Sequence, residues 1–177
     1  ITLVNDLLDA QKLDLKKIKF SYENIDVVYL LDSLISNISN IAKQKNAEIV
    51  NSSEQNFIIE SDRNRLEQVL NNLIYNAIDF VPKFTGRIEI NATKNHSAAI
   101  FYVKDNGPGI EPTKNKDIFK KFYQTDTSAT RKHGGSGLGL SICQGIVEGL
   151  GGKIWVESEV GKGTTFYFKI PLSSKHI

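Results

Sequence analysis

The sequence predicts an α/β fold of the α+β kind: a two-layer sandwich of about three helices on one mixed, mostly antiparallel sheet, with a helical stalk in front. Three observations predict it. The N-terminal residues have heptad-like spacing, three later stretches repeat apolar residues every three to four positions, and several short stretches alternate between apolar and polar residues. With 177 residues, the chain is long enough for one ordinary domain and an appendage.

Residues 1–20 are the predicted stalk, a helix with one apolar seam. The residues near heptad a and d positions are Ile1, Val4, Leu8, Leu15 and Ile18. We expect this seam to pair with a helix outside this sequence or on another chain; the alternative is a helix that packs on its own domain. Because the chain has no methionine and begins in mid-pattern, we expect it to be part of a longer protein.

The predicted domain, residues 21–177, begins with alternating helices and strands. KFSYENIDV predicts a short strand and VVYLLDSLISNISNIAKQKNA the second helix. AEIVNS and NFIIES predict two short strands around a turn. DRNRLEQVLNNLIYNAIDFV then predicts a third helix, which ends before Pro82 because proline cannot continue a helix.

The second half of the domain contains two predicted hairpins and one helix. GRIEINATK and AAIFYVKDN predict paired strands, and KIWVESEVGKGTTFYFKIPL predicts the closing hairpin. Between them, the fourth helix starts at a glycine-rich loop and ends at Gly151 and Gly152. The polar stretch at about 111–136 is too long for an ordinary loop, so we predict a lid with a hinge at its glycine-rich end.

Composition excludes several classes of function. A formal net charge of +2 gives no reason to expect a nucleic-acid partner, and no run of about 18 apolar residues predicts a membrane span. The single cysteine, Cys143, excludes an internal disulfide and lies among apolar neighbours, as a buried thiol would. We expect a cytoplasmic location, and leave open whether the full-length protein has a membrane anchor.

The stretch RKHGGSGLGLSI has four glycines within six residues, immediately before a helix. It matches neither the Walker spacing nor the dinucleotide-binding fingerprint. Glycines nevertheless allow close approach of a ligand, and a helix N-terminus presents unpaired N–H groups to anions. The loop therefore predicts an anion site of a kind that its spacing alone does not identify.

Other polar residues interrupt regular elements. Asn72 and Asn76 share one face of the third helix, where an amide oxygen is a suitable ligand for Mg²⁺; the alternative is that both are merely solvated. Asp105 ends a strand and could accept a hydrogen bond from a ligand's amino group, although Asp-Asn-Gly-Pro is also ordinary turn chemistry. Phe119 and Phe122 have the spacing of core anchors in a short helix.

Basic residues surround these aromatic residues and the glycine loop. They are Lys120, Lys121, Arg131 and Lys132. They are either a solvated surface or a set of cations that faces a triphosphate.

In order along the chain, these motifs resemble the catalytic and ATP-binding domain of sensor histidine kinases, within the superfamily that includes gyrase-type ATPases and their chaperone relatives. EQVLNNLIYNA resembles the asparagine box, DNGPG and GGSGLGL the two glycine boxes, IFKKFY the phenylalanine box and GKGTTFYF the closing glycine motif. The five motifs lie within residues 62–170. The N-terminal ITLVNDLLDAQKLD resembles the second helix of the family's dimerisation hairpin.

The resemblance implies roles for individual residues. Asp105 would bind the adenine amino group, with Thr164 near it through water, and Asn76 would coordinate Mg²⁺ with support from Asn72. Gly107 and Gly109 would line the adenine side. The predicted phosphate cup is Gly135, Ser136, Gly137, Leu138 and Gly139, and the predicted lid residues are Lys121, Tyr123 and Arg131. The residues expected to act in catalysis are Asn72, Asn76, Lys121 and Arg131.

The implied reaction is transfer of the γ-phosphoryl group of ATP to a histidine. That histidine would lie on a hairpin helix outside this sequence, because none of His96, His133 and His176 fits the acceptor position. The implied partners are this hairpin, a response regulator receiver domain and a second copy of the full-length protein, joined through the N-terminal helix. The alternatives are a clamp-type ATPase and a degenerate nucleotide-binding scaffold.

Two positions distinguish these alternatives. Gyrase-type relatives have a glutamate four residues before the metal-binding asparagine, where it activates water; Asn72 occupies that position here. Kinases of the family often have Lys or Arg three residues after that asparagine, whereas this chain has Asp79. An anion near a triphosphate is unfavourable unless it points away or helps to hold Mg²⁺, so Asp79 is the best support for a scaffold.

Overall fold

The computed structural model describes residues 2–15, 18–123 and 136–173. The helices are α1 (Thr2–Asp14), α2 (Val27–Gln44), α3 (Arg63–Phe80) and α4 (Gly139–Gly149). The strands are β1 (Glu23–Asp26), β2 (Ala47–Asn51), β3 (Ile58–Ser61), β4 (Gly86–Lys94), β5 (Ala98–Asp105), β6 (Lys153–Glu159) and β7 (Gly163–Pro171). The order β2-β4-β5-β7-β6 forms a mixed sheet of five strands, and β1 pairs with β3. The predicted fold class is confirmed.

Capping residues explain where α2 and α3 begin. The side chain of Asp26 accepts the N–H of Tyr29 at 2.9 Å, and that of Asp62 accepts the N–H of Arg65 at 3.0 Å. Each carboxylate therefore satisfies a backbone donor that the first helical turn would leave unpaired. As predicted, α3 ends before Pro82.

The core lies between α2, α3 and α4 and the five-stranded sheet. Phe101 on β5 and Phe168 on β7 stack at 4.7 Å between ring centroids, and both are fully buried. The alternating residues of β4, β5 and β7 point into this core. Burial on this scale holds β5 and β7 in register, and their ends carry the candidate site.

The two short strands predicted around one turn do form, but they do not pair with each other. β2 runs parallel to β4, whereas β3 runs antiparallel to β1. Beyond β2, the N–H of Ser52 donates to the carbonyl of Ile90 at 2.9 Å, and the side chain of Ser53 accepts the N–H of Ala92 at 2.9 Å. These bonds extend the chain along β4 and prevent a tight turn.

The stalk helix α1 packs on the domain, but not through its predicted seam. Ala10 is buried and Leu13 lies against α4, so close that a Cβ on Gly145 would be 2.9 Å from it. Asp9 accepts hydrogen bonds from Arg65 at 3.1 Å and Gln68 at 2.8 Å. Among the seam residues that the structure describes, three large side chains are exposed: Val4, Leu8 and Leu15. The alternative, a helix that packs on its own domain, is therefore confirmed for the face that carries Ala10 and Leu13. The partner helix expected for the exposed seam stays a prediction.

The first part of the predicted lid packs against the domain. Ile118 is buried, and Phe119 meets Phe166 edge-on at 6.3 Å between ring centroids. The prediction that Phe122 is also a core anchor is wrong: its side chain is 66% exposed, because its backbone has φ 60 and leaves the helical path. Residues 124–135 lie outside the described residues, so the lid itself stays a prediction.

Among the residues that the structure describes, no helix is long and apolar enough to cross a lipid bilayer.

Candidate functional site

Asp105 is a buried carboxylate at the end of β5. Its side chain is 6% exposed and accepts the N–H of Gly107 at 2.8 Å. The pKa of its carboxyl group is raised from the ordinary value of 3.8 to about 6, because burial disfavours the charged form. Hydrogen bonds from the backbone N–H groups of Gly107 and Thr164 act in the opposite direction but are outweighed. At neutral pH, the group is thus a desolvated anion that gains from a further hydrogen-bond donor such as an amino group.

Thr164 lies beside Asp105 because the two residues are paired in the β5–β7 register. Its hydroxyl is 2.9 Å from that of Ser158, which donates to the carbonyl of Gly163 at 2.9 Å and accepts the N–H of Ile110 at 2.8 Å. Since Ser158 has a single hydroxyl proton, Thr164 must be the donor between them. The oxygen of Thr164 therefore keeps a lone pair for a water or a ligand.

Ser158 was not predicted as a site residue. It pairs with Thr164 across the β6–β7 hairpin and joins that hairpin to the loop after β5. The sequence does contain the signal: in a hairpin turning around Gly161, the residue opposite Thr164 is Ser158. The closing glycine motif covers β7 but not β6, so it does not include Ser158.

Glycine is required where the loop after β5 meets this hairpin. Gly109 has φ 75, and a Cβ at this position would lie 2.2 Å from the carbonyl oxygen of Glu159. At Gly107, a Cβ would lie 2.7 Å from the carboxylate of Asp105. Gly107 therefore lies against Asp105, and Gly109 lies against the β6–β7 hairpin. That both glycines line an adenine site stays a prediction.

Asn72 meets the start of α4, and Asn76 lies on the same face of α3. The amide of Asn72 approaches the carbonyl oxygen of Gly139 at 3.4 Å, and both asparagines are half-buried. This burial argues against the alternative in which they are simply solvated. The amide oxygen of Asn76, one helical turn further on, is of the type that binds Mg²⁺.

Asp79 continues this face of α3 and forms an ion pair. Its carboxylate contacts the ammonium group of Lys45, and the two side chains are 39% and 38% exposed. Lys45 follows α2 directly and caps it, its N–H donating to the carbonyl of Ala42 at 3.0 Å. The carboxylate of Asp79 is thus paired with a cation. Whether it points away from a nucleotide or helps to hold Mg²⁺ stays a prediction.

The glycine loop before α4 is described from Ser136 onward. Leu138 is the residue before the helix, and its side chain is 1% exposed, so only its backbone could face a phosphate. Gly137 has φ 68, and a Cβ there would be 2.9 Å from the Cα of Phe122. The N–H of Phe122 donates to the carbonyl of Gly137 at 2.9 Å, so both ends of the segment between them are held together.

The first turn of α4 offers the backbone N–H groups on which an anion site depends. Ser136 is close to this turn, but its hydroxyl donates to Asp6 of α1 at 3.3 Å. The predicted site residues Gly135 and Arg131 lie outside the described residues.

Of the predicted lid residues, the structure describes Lys121 and Tyr123. Lys121 lines a groove of about 560 Å³ between α1 and α4, together with Leu13 and Phe119. Tyr123 is half-buried against the core. The structure therefore brings Asp105, Gly107 and Thr164 together at one end of the site and Asn72 and Gly139 at the other, whereas Lys121 lies toward the stalk.

The chain resembles known proteins in sequence. A family model described as "Histidine kinase-, DNA gyrase B-, and HSP90-like ATPase" matches residues 61–174. Sensor histidine kinase WalK of Bacillus subtilis (strain 168) is 38% identical over 174 residues, which are 97% of this chain and 28% of that protein.

Solved structures resemble the fold. Full-length ShkA in complex with AMPPNP has a TM-score of 0.88 and 32% identity over 98% of this chain and 36% of that one. Histidine kinase ThkA in complex with the response regulator protein TrrA has a TM-score of 0.77 and 26% identity over 97% of this chain and 46% of that one. The chain thus spans less than half the length of each of these relatives. By the family model and by fold, it belongs to the histidine kinase-, DNA gyrase B- and HSP90-like ATPase family.

Proposed function

We propose that this domain binds ATP with Mg²⁺ and presents the γ-phosphoryl group to a histidine on a hairpin helix, as the catalytic domain of a cytoplasmic sensor histidine kinase. The observation that carries the proposal is the pair formed by Asp105 and Thr164, a buried carboxylate beside a hydroxyl whose oxygen is available to accept a hydrogen bond. Such a pair suits an adenine amino group and a bridging water.

The remaining roles follow the positions of the polar groups. The N–H groups at the start of α4 would bind phosphate oxygens, and the oxygen of Asn76 would hold Mg²⁺. Among the described residues, no cluster of three or more His, Cys, Asp or Glu could hold a metal ion. One amide oxygen still fits Mg²⁺, since this ion takes most of its remaining ligands from phosphate and water. Bound there, it would neutralise phosphate charge.

Asn72 favours a kinase over a hydrolase. An amide cannot take a proton from water, and this amide approaches the carbonyl of Gly139. A neutral histidine, by contrast, is nucleophilic without a general base. WalK and ThkA are named as histidine kinases, and ThkA is in complex with a response regulator protein. We extend this partnership, and dimerisation through the exposed seam of α1, to the full-length form of this protein.

Phosphoryl transfer can be tested with this chain directly. It would be mixed with γ-labelled ATP and a separate hairpin that carries the acceptor histidine, and label on the hairpin that is stable in base but lost in acid would establish the reaction. Asn76→Ala should abolish transfer because the metal loses its protein ligand. Asn71→Ala, on the same helix but lining a separate groove between α1 and α3, is the matched control and should retain transfer.

Two other outcomes would identify other functions. Steady ATP hydrolysis without the hairpin would indicate a clamp-type ATPase. Absence of Mg-ATP binding in calorimetry would indicate a scaffold. As a binding test, Asp105→Ala should weaken ATP binding about tenfold to a hundredfold, the usual value of a buried hydrogen bond to a charged group; unchanged affinity would remove Asp105 from the adenine site.

A further inference from the structure

The asparagine face of α3 ends in an acidic residue. Asp79 lies three positions after Asn76, so the two Cβ atoms are only about 5–6 Å apart on the helix surface. A carboxylate this close to a bound triphosphate would repel it, and the repulsion would be appreciable in a half-buried site, where solvent screens charges less than in bulk water.

Lys45 neutralises this carboxylate from another element. It lies where α2 gives way to β2, and the left-handed residue Asn46, with φ 54, turns the chain there. Since α2 and β2 are both packed in the domain, the backbone that carries Lys45 is fixed beside α3. An ammonium group has three donors, so a contact with Asp79 leaves others for a phosphate oxygen.

We propose that Lys45 is a positioning residue for the nucleotide phosphates: it cancels the charge of Asp79 and supplies the cation at the metal end of the site. This inference rests on the proposed function. Because Lys45 lies more than 30 residues before Asp79 in the chain, the sequence alone does not indicate that the two residues pair. The pair as a whole is neutral, and its exposed ammonium group is the part available to an anion.

The test compares ATP with adenosine, which has no phosphate. Lys45→Met should weaken Mg-ATP binding about tenfold in calorimetry, because it leaves Asp79 unpaired near the phosphates, and should leave adenosine binding unchanged. Asp79→Asn should not weaken Mg-ATP binding, because it frees the cation, and the double variant should bind more tightly than Lys45→Met. Lys43→Met removes a charge from an exposed position at the end of α2, two residues before Lys45, and should have no effect.

Several outcomes would overturn the inference. Equal ATP affinity in Lys45→Met and the unchanged protein would remove Lys45 from the site, and a loss confined to Asp79→Asn would make Asp79 a metal ligand instead. If Lys45→Met does not fold, the double variant, which leaves no unpaired charge, decides: it should bind adenosine normally and Mg-ATP more weakly than Asp79→Asn does. If the unchanged protein binds neither ligand, the proposed function fails as well, so the two failures are distinguishable.

Discussion

Asp105→Asn should stabilise the nucleotide-free domain while weakening its binding of ATP. The carboxylate of Asp105 is buried and has its pKa raised to about 6. Its ionised form is therefore less favourable in the folded chain than in the unfolded chain, where the pKa is close to 3.8. Asparagine has nearly the same shape and carries no charge, so it removes this penalty.

The magnitude follows from proton linkage. A rise of about 2 pKa units corresponds to about 3 kcal/mol of folding free energy, because each unit is worth about 1.4 kcal/mol. The folded chain binds more protons than the unfolded chain between about pH 4 and 6, so stability falls as pH rises through this window and is constant above it. About half of the effect, roughly 1.4 kcal/mol, should develop between pH 5 and 8.

Urea unfolding of the nucleotide-free protein at several pH values measures this effect. The stability difference between Asp105→Asn and the unchanged protein should grow by about 1.4 kcal/mol between pH 5 and 8. Calorimetry should show the opposite trend for ligand binding, with ATP affinity of the unchanged protein falling as pH drops below about 6. A stability difference that is the same at every pH would refute the reasoning, since it would mean that Asp105 is ionised without penalty.

Three further predictions concern other parts of the fold. Gly109→Ala should destabilise the domain by about 3 kcal/mol or more, whereas Gly161→Ala, with a similar φ but no atom within 4 Å of the new Cβ, should lose only about 1–2 kcal/mol of unfolding free energy; equal losses would show that the contact is unimportant. Asp9→Ala should release α1, seen as faster hydrogen exchange in residues 2–14, and unchanged exchange would contradict the docking. Cys143, fully buried with its pKa raised to about 12, should react with thiol reagents only after unfolding, and labelling of the native protein would contradict its burial.

Local patterns predicted most of the fold. The period of α3 and the stop at Pro82 are encoded within that one segment, and the hairpin of β4 and β5 has its turn between its own strands. The partners of β2 and β3 could not be predicted, because pairing depends on residues far away in the chain, such as Ile90 and its bond to Ser52. The docking of α1 was hidden for the same reason: Leu13 fits against Gly145, a match that no periodicity reveals.

Sequence motifs identified the residues of the candidate site but not the residues that hold them in place. Asp105 and Thr164 belong to sequence motifs, and the structure brings them side by side in one register. Ser158, which connects both strands to the loop after β5, belongs to no motif. The closing glycine motif covers β7 and the turn before it, whereas Ser158 lies in β6, so a search for motifs does not find this residue.

The charge at Asp79 shows how a contact changes a functional interpretation. By sequence, an acidic residue beside a metal-binding asparagine is the best argument for a scaffold that binds nucleotide weakly. In the fold, Lys45 neutralises that residue, so the site has no uncompensated negative charge at this position. Because an ion pair this exposed adds little to folding stability, its effect is better measured by the affinity for an anionic ligand than by the free energy of unfolding. The argument for a scaffold therefore depends on the binding experiment with Lys45→Met and no longer on the identity of residue 79.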